Sequence, residues 1–401
     1  MNVVQKYGGT SLDSIEKIRA VAKHIASFRK EGDGIVIVAS AMGGTTDELI
    51  ALAHEAGSEI PKRELDALLA TGEQKTVALL AIALQNLGVP AVSMTGFQSG
   101  FITTDHHSKA KIKEINTERT EQFLKEGKVV VLTGFQGISE GGDITTLGRG
   151  GSDITAVAIA AQLGWDCEIY SDVDAIFTAD PKIYPQAKKL DRVTYDEMME
   201  LASTGAGILE TRSVEIAKKY NVKVYIGKSL EGNERKGTYV MNDSIYIEDM
   251  PVTGISISDD CSIYSLRGIA NDGIAIANLF QLLADLHINV DMISKQTSAD
   301  NTCTVSFSCT DAQSKDLDRA IEDHEILSEI TIEKQPNLSI LSLVGVGMAT
   351  ATGVASKVFS ILAQEGIMYY QITTSEISIS VTVNRDEKIK AVIALCEAFG
   401  L

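Results

Sequence analysis

The chain predicts an α/β fold built on a mostly parallel sheet, followed by two copies of a smaller α+β unit. Three observations predict it. Short β-rich runs alternate with longer helical patterns over roughly the first 240 residues, a polar glycine-bearing segment then interrupts the pattern, and beyond it a set of apolar residues recurs at a constant offset of 79.

Strands are expected at 3–7, 34–40, 91–95, 128–134, 167–171 and 223–227, and helices at 14–29, 46–55, 62–87, 117–126, 154–163, 195–204 and 211–219. Strands separated by helices pair in parallel. Helices then cover both faces, and ligand-binding loops gather at the carboxyl ends of the strands. The segment Glu231-Gly-Asn-Glu-Arg-Lys-Gly237 and a change of pattern near Pro251 mark a boundary, giving expected domains 1–240, 251–335 and 336–401. In the repeat, Phe280, Leu283, Ala284, Ile288 and Ile293 return as Phe359, Leu362, Ala363, Ile367 and Ile372. The second copy reads as strand 339–345, helix 353–365, strand 367–373 and a strictly alternating strand 377–383. Units of this kind expose sheet edges that a second copy covers, which predicts oligomerisation through this region.

At 401 residues the chain is longer than one core usually supports. Its 36 basic and 54 acidic residues leave a net charge of −18, which repels nucleic acid and anionic membranes. An anionic substrate therefore needs a local positive site built against the overall field. The cysteines Cys167, Cys261, Cys303, Cys309 and Cys396 lack CxxC or zinc spacing and read as reduced core thiols. His106-His107 have no ligand spacing either and read as surface residues. No stretch is expected to span a membrane and the N-terminal apolar run is too short for a signal peptide, so a cytoplasmic location is expected.

Four segments carry candidate chemistry. Lys6-Tyr-Gly-Gly-Thr-Ser11 runs from a strand end through a glycine pair to a helix, a shape that lets backbone N–H groups approach an anion; a plain structural turn is the alternative. Thr145-Thr-Leu-Gly-Arg-Gly-Gly-Ser-Asp153 is a second glycine-rich loop entering an apolar helix. Arg149 there offers a fork for carboxylate or phosphate, Ser152 offers donors and Asp153 can orient a cation, although Ser152 or Asp153 would also serve as an ordinary cap. Tyr170-Ser-Asp-Val-Asp-Ala-Ile-Phe-Thr-Ala-Asp-Pro-Lys182 follows a strand, and reads either as a nucleotide-holding stretch or as a solvated loop. Glu73, in Leu69-Ala-Thr-Gly-Glu73, suits a substrate ammonium if buried and is otherwise a solvated helix residue.

At these residues the chain closely resembles the aspartate kinases of the amino-acid kinase family, over almost its full length. The resemblance rests on Lys6 to Ser11, Ser40-Ala-Met with Thr46-Asp47, Ala70-Thr-Gly-Glu73, Thr146 to Asp153, Ser171-Asp-Val-Asp174, Phe177-Thr-Ala-Asp-Pro181 and Glu197-Met-Met-Glu-Leu-Ala202. The C-terminal repeat is similar to paired ACT modules, through Ile288-Asn-Val-Asp-Met-Ile293 and Thr374-Ser-Glu-Ile377. The resemblance implies a three-layer αβα kinase domain, two βαββαβ-like modules, and MgATP-dependent phosphorylation of the side-chain carboxylate of L-aspartate. It implies catalytic Lys6 and Asp153, aspartate held by Thr46, Glu73, Arg149 and Ser152, and a nucleotide site of Lys6, Tyr7, Gly8, Gly9, Ser171, Asp172, Phe177, Asp180 and Lys182. It also implies a lysine or threonine effector near Asn289, Asp291, Met292, Thr374, Ser375 and Glu376, no directly assigned metal ligand, and a homodimer or homotetramer.

The chemistry suits these residue types. A side-chain carboxylate, with an ordinary pKa near ~3.9, is already ionised at neutral pH and needs no general base; repulsion between two anions is the obstacle. The chain departs from the family pattern at Ala175, where glycine is common, at Glu210-Thr211 before Arg212, and at Lys182, a frequent arginine. The alternatives are an inert kinase-fold protein that senses an amino acid, and a kinase for another amino acid.

Overall fold

The computed structural model describes residues 1–205, 207–230, 236–242, 250–298, 301–323 and 330–401. Residues 231–235 of the expected boundary segment lie outside the described residues. The chain divides into two units. The first comprises Met1–Phe177, Lys189–Ser203 and Gly207–Ile247, the second Thr178–Lys188, Thr204–Ala206 and Glu248–Leu401.

The first unit contains β1 (Asn2–Tyr7), α1 (Ile15–Phe28), β2 (Gly34–Ala39), α2 (Thr45–Ala56), α3 (Lys62–Asn86), β3 (Ala91–Met94), β4 (Phe101–Thr103), β5 (Ile112–Ile115), α4 (Glu118–Lys125) and β6 (Val129–Thr133). These are followed by β7 (Gln136–Ser139), β8 (Ile144–Thr146), α5 (Gly151–Leu163), β9 (Asp166–Ser171), β10 (Arg192–Thr194), α6 (Tyr195–Ser203), α7 (Thr211–Tyr220), β11 (Val224–Lys228) and β12 (Thr238–Met241). An eight-stranded sheet runs β10-β12-β11-β9-β1-β2-β6-β3, parallel except where β11 meets β12. The run Gly-Ile-Val-Ile-Val-Ala of β2 is buried throughout, as a parallel strand covered on both faces requires. Alternation along β1 turns Val3 and Tyr7 into a core with Ile18, Val21 and Ile25 of α1 and Val77, Leu80 and Leu84 of α3. Lys6 points to the other face, where α5 lies buried from Gly151 to Ala160. The three layers are thus α1 and α3, the sheet, and α5 with α7.

Two features depart from the sequence-based expectation. Four short strands form a separate sheet of order β5-β4-β7-β8 that hydrophobic patterning did not reveal, each being only three or four residues long. And α3, at 25 residues, is long and apolar enough to cross a membrane by length and composition, contrary to the expectation that no segment is. Its buried Leu69, Val77, Leu80 and Leu84 mark it as a core helix of this unit.

The second unit is a six-stranded antiparallel sheet of order β14-β15-β13-β16-β18-β17, where β13 is Gly254–Ala270, β14 Asp291–Thr297, β15 Thr302–Cys309, β16 Thr331–Val344, β17 Tyr369–Thr374 and β18 Ser378–Asn384. The repeat appears as two cores. One gathers Tyr264, Leu266, Leu279, Leu283, Val305 and Phe307, with helix Gly273–Asp285; the other gathers Leu341, Leu343, Val358, Leu362, Val381 and Leu395, with helices Val354–Gln364 and Lys388–Phe399.

The long strands β13 and β16 pass through both cores. Val252 and Ile255 pack in the second, because the first half of β13 pairs with the last residues of β16. The boundary expected between 335 and 336 falls within β16, and the start of β13, ahead of the first repeat, packs in the core of the second. The segment Thr178–Lys188, expected within 1–240, also belongs to the second unit, where Ala179 and Tyr184 join the same core. All five cysteines are buried and free, as expected.

Truncating Leu80, fully buried between α3 and the sheet, to alanine is expected to lower the stability of the first unit by about 2–5 kcal/mol. Urea unfolding followed by circular dichroism checks this; an unchanged midpoint would remove α3 from the core.

Candidate active site

Tyr7 at the end of β1 pairs with Tyr170 on β9, and the order of the sheet reverses here, β1 being followed by β2 on one side and β9 by β11 on the other. Such a reversal opens a crevice at the carboxyl ends of the strands. The cavity found there has a volume of about 520 Å³. Its lining includes Lys6, Gly8 and Gly9 after β1, Ala41 and Thr46 after β2, Glu73 of α3, Arg149 to Asp153 at the start of α5, and Ser171 and Asp172 after β9.

Lys6 is 9% exposed and its Nζ lies 2.7 Å from Asp153 Oδ1. The contact is close enough for an ion pair but off-axis for a hydrogen bond, and Oδ1 has no hydrogen-bond partner. An ammonium held by charge in this way retains donors for a ligand. The Gly8 N–H donates to Tyr170 O over 3.1 Å, joining the two strand ends. At Gly9 a Cβ would stand 2.9 Å from Ala41 O, so only glycine lets the two loops close on each other.

The second loop enters α5 through Gly150, at φ 63°, where a Cβ would meet Glu210 Cβ at 2.4 Å. The helix begins at Gly151, three residues earlier than expected, which places Ser152 and Asp153 in its first turn. Its N-terminal dipole therefore faces the cavity, a favourable position for an anion. Arg212 holds the loop from behind, donating to Leu147 O at 2.7 Å and Ala110 O at 3.0 Å.

Glu73 is buried. Its Oε1 accepts from Ala41 N at 3.2 Å, while Oε2 has no partner. Burial drives its pKa from the ordinary 4.5 up to about 7, against the smaller opposing pull of its own backbone N–H and that of Ala41. A buried, half-satisfied carboxylate lining a cavity is a receptor for a cation, and the ammonium group of an amino acid has the right charge and donors.

The structure thus gathers Lys6, Gly8, Gly9, Thr46, Glu73, Arg149, Ser152, Asp153, Ser171 and Asp172 around one cavity. Tyr7 is not among the lining residues: its side chain is fully buried on the α1 side and stacks on Tyr170. Phe177 bridges to Lys189 and does not line the cavity. Asp180, which accepts from Lys182 N at 2.9 Å, and Lys182 itself lie in the segment that belongs to the second unit. Ala175 is buried without a positive φ, so the missing glycine costs no backbone strain.

Sequence reasoning missed Ala41, whose N–H meets Glu73, and Phe135, which lines the cavity at a positive φ of 72°. The adjacent Gly43-Gly44 was a usable signal for the first; nothing local marks the second. His107, expected at the surface, is hydrogen-bonded to the buried Asp66.

Among the effector candidates, Thr374, Ser375 and Glu376 line a cavity of about 510 Å³ in the second module, together with Gly353 and Met348. Asn289, Asp291 and Met292 belong to the first module and do not line it.

Residues 1–228 match the amino acid kinase family and residues 341–399 the ACT domain. The chain is 43% identical to the aspartokinase of Bacillus sp. strain MGA3, over 100% of this chain and 97% of that one. Its fold is like that of E. coli aspartokinase III solved with aspartate and ADP, at a TM-score of 0.83 and 22% identity with full coverage of both chains. The same enzyme solved with lysine and aspartate gives a TM-score of 0.78 at 24% identity, with 99% coverage of each.

The raised pKa of Glu73 sets a pH signature. A buried carboxylate penalises the ligand-free fold fully above about 7 and not at all below its ordinary 4.5. Glu73→Gln is therefore expected to be more stable than the wild type by on the order of 2–3 kcal/mol above that range. The difference should vanish as the pH falls through it. Denaturant unfolding across pH measures this, and a pH-independent difference would show that Glu73 titrates normally.

Proposed function

The chain belongs to the aspartokinases of the amino acid kinase family, and from that premise we propose how its own residues perform the reaction. The enzyme transfers the γ-phosphoryl group of ATP to the side-chain carboxylate of L-aspartate, forming 4-phospho-L-aspartate at the head of lysine, threonine and methionine biosynthesis. The observation that carries the residue roles is the Lys6–Asp153 pair in the lining of the same cavity as Glu73 and Arg149.

Glu73 takes the substrate ammonium on its unpartnered Oε2, and Arg149 takes a substrate carboxylate, with Thr46 and Ser152 adding hydroxyl donors. This fixes the reacting carboxylate toward Lys6. Gly8 and Gly9 admit the ATP phosphates closely, and Ser171 and Asp172 line the nucleotide's path. An aspartate oxygen forms the new bond to the γ-phosphorus as the bond to the ADP oxygen breaks, in line. Lys6 and the N-terminus of α5 stabilise the charge that spreads over the phosphoryl oxygens, and Asp153 keeps Lys6 oriented.

Mg²⁺ on the ATP phosphates would neutralise part of that charge. Among the described residues no group of three or more His, Cys, Asp or Glu side chains forms a metal cage. Asp153 or Asp172, both in the cavity lining, would add a single carboxylate to an ion held mainly by phosphate oxygens.

Regulation acts through the ACT modules. We assign lysine as the first candidate effector and threonine as the second, near Thr374, Ser375 and Glu376 or Asn289, Asp291 and Met292. Homodimer or homotetramer formation through these modules is supported by exposed Ile293, Met368, Tyr370 and Ile372 on or beside the edge strands. A cytoplasmic location completes the reading. The inert-sensor alternative is not favoured, since the full-length relative is itself an aspartokinase.

Lys6→Ala is expected to reduce turnover by roughly 10²–10³-fold or more while the fold persists. Acyl phosphate trapped as hydroxamate measures it, and near-normal turnover would remove the lysine from the mechanism. Glu73→Ala is expected to raise the KM for aspartate far more than that for ATP. Equal changes in both would defeat the ammonium assignment.

A further inference from the structure

Two helical turns before Glu73, on the same face of α3, lies a second buried carboxylate that the mechanism above does not use. Asp66 is 0% exposed. Its oxygens accept from Thr146 Oγ1 at 2.7 Å, Thr146 N at 2.9 Å and Ser108 N at 2.9 Å, and His107 Nδ1 stands 3.1 Å away. One turn earlier, Arg63 pairs at 2.6 Å with Asp143, immediately ahead of β8. A single turn of α3 therefore grips both ends of β8, and the chain that leaves β8 is Leu147-Gly148-Arg149.

The strand needs this grip. It has three residues and lies at the edge of its sheet, with β7 as its ladder partner. The backbone N–H and hydroxyl groups of Ser108 and Thr146 at the Asp66 oxygens all donate, so an acceptor-only side chain satisfies them together, whereas an amide would have to turn N–H groups toward one of them.

We propose that Asp66 is a positioning residue for substrate selection. It ties the Arg149 loop to the helix that carries Glu73, so that the spacing between the group that takes the substrate carboxylate and the group that takes its ammonium is set by one rigid element. The inference rests on the roles proposed above for Glu73 and Arg149. Aspartate and glutamate carry the same end groups and differ by one methylene. A loosened loop lets the longer molecule place its side-chain carboxylate at Lys6, and a firmly held one does not.

The test compares Asp66→Asn and Thr146→Val with the wild type, measuring KM for aspartate and for ATP, and kcat/KM for aspartate against glutamate. The expected result is a rise in aspartate KM of roughly 10- to 100-fold for Asp66→Asn. Thr146→Val should give a smaller rise. In both, the KM for ATP stays nearly unchanged and the preference for aspartate over glutamate narrows. Equal rises in both KM values, or an unaltered preference, would overturn the proposal in favour of a general structural role. If Asp66→Asn does not fold, Thr146→Val decides, because it removes one hydroxyl and keeps the side-chain shape. Arg149→Ala, run alongside, separates the two levels. An aspartate KM unaffected by Arg149→Ala overturns the binding roles and this inference with them. A raised KM there, with wild-type behaviour in both other variants, overturns the role of Asp66 alone.

Discussion

The ion pair between Lys6 and Asp153 is the contact around which the first unit is organised. It joins the end of the central strand to the first turn of the most deeply buried helix, and both residues are largely shielded from water. A buried charge without a partner is costly, so each residue stabilises the other in place. The geometry leaves Asp153 Oδ1 without a hydrogen bond from the lysine, which suits the phosphoryl-oxygen role we propose for Lys6. Strand alternation and helix start together create this pair; shifting either by one residue would turn the side chains apart.

Around the pair, the cations Lys6 and Arg149 share the cavity lining with the acidic residues Asp47, Glu73, Asp153 and Asp172. A chain with net charge −18 repels ATP and aspartate alike. The site offsets this locally with Lys6, Arg149 and the N-terminus of α5, none of which depends on the composition of the surface. Glu73, buried with one unpartnered oxygen, is the group we propose for the substrate's ammonium; Asp47 and Asp172 line the same cavity from exposed positions. The Glu73 carboxylate keeps one oxygen without a partner, so the empty site carries an electrostatic cost that the ammonium we propose there would relieve.

The second unit shows a different economy. Two repeats share the long strands β13 and β16, and each repeat keeps its own core on its own part of them. The interleaving arises because the strand that precedes the first repeat completes the sheet of the second. A repeat detected by offset alone cannot show this, since the offset compares equivalent positions and says nothing of which strands are neighbours.

The sequence by itself determined the main strands and helices of the first unit, the repeat in the second, and the loops that offer candidate chemistry. Buried parallel strands read as continuous apolar runs, amphipathic helices as a 3.6-residue period, and the two glycine loops as anion cradles. These signals are local, and local signals survive in one dimension. The pairings were decided only by tertiary structure. Tyr7 and Lys6 are neighbours in sequence, yet the pleat sends one into the α1 core and the other into the cavity. Phe135 and Asp66 carry no motif and matter through what lies beside them, and Ala41, although inside a recognised segment, meets Glu73 only through the fold. The place of the start of β13 in the second core and the transfer of Thr178–Lys188 to the second unit follow from packing partners far apart in the chain. The short strands of the four-stranded sheet were illegible for the same reason: three residues hold too little pattern, and only their neighbours make them strands.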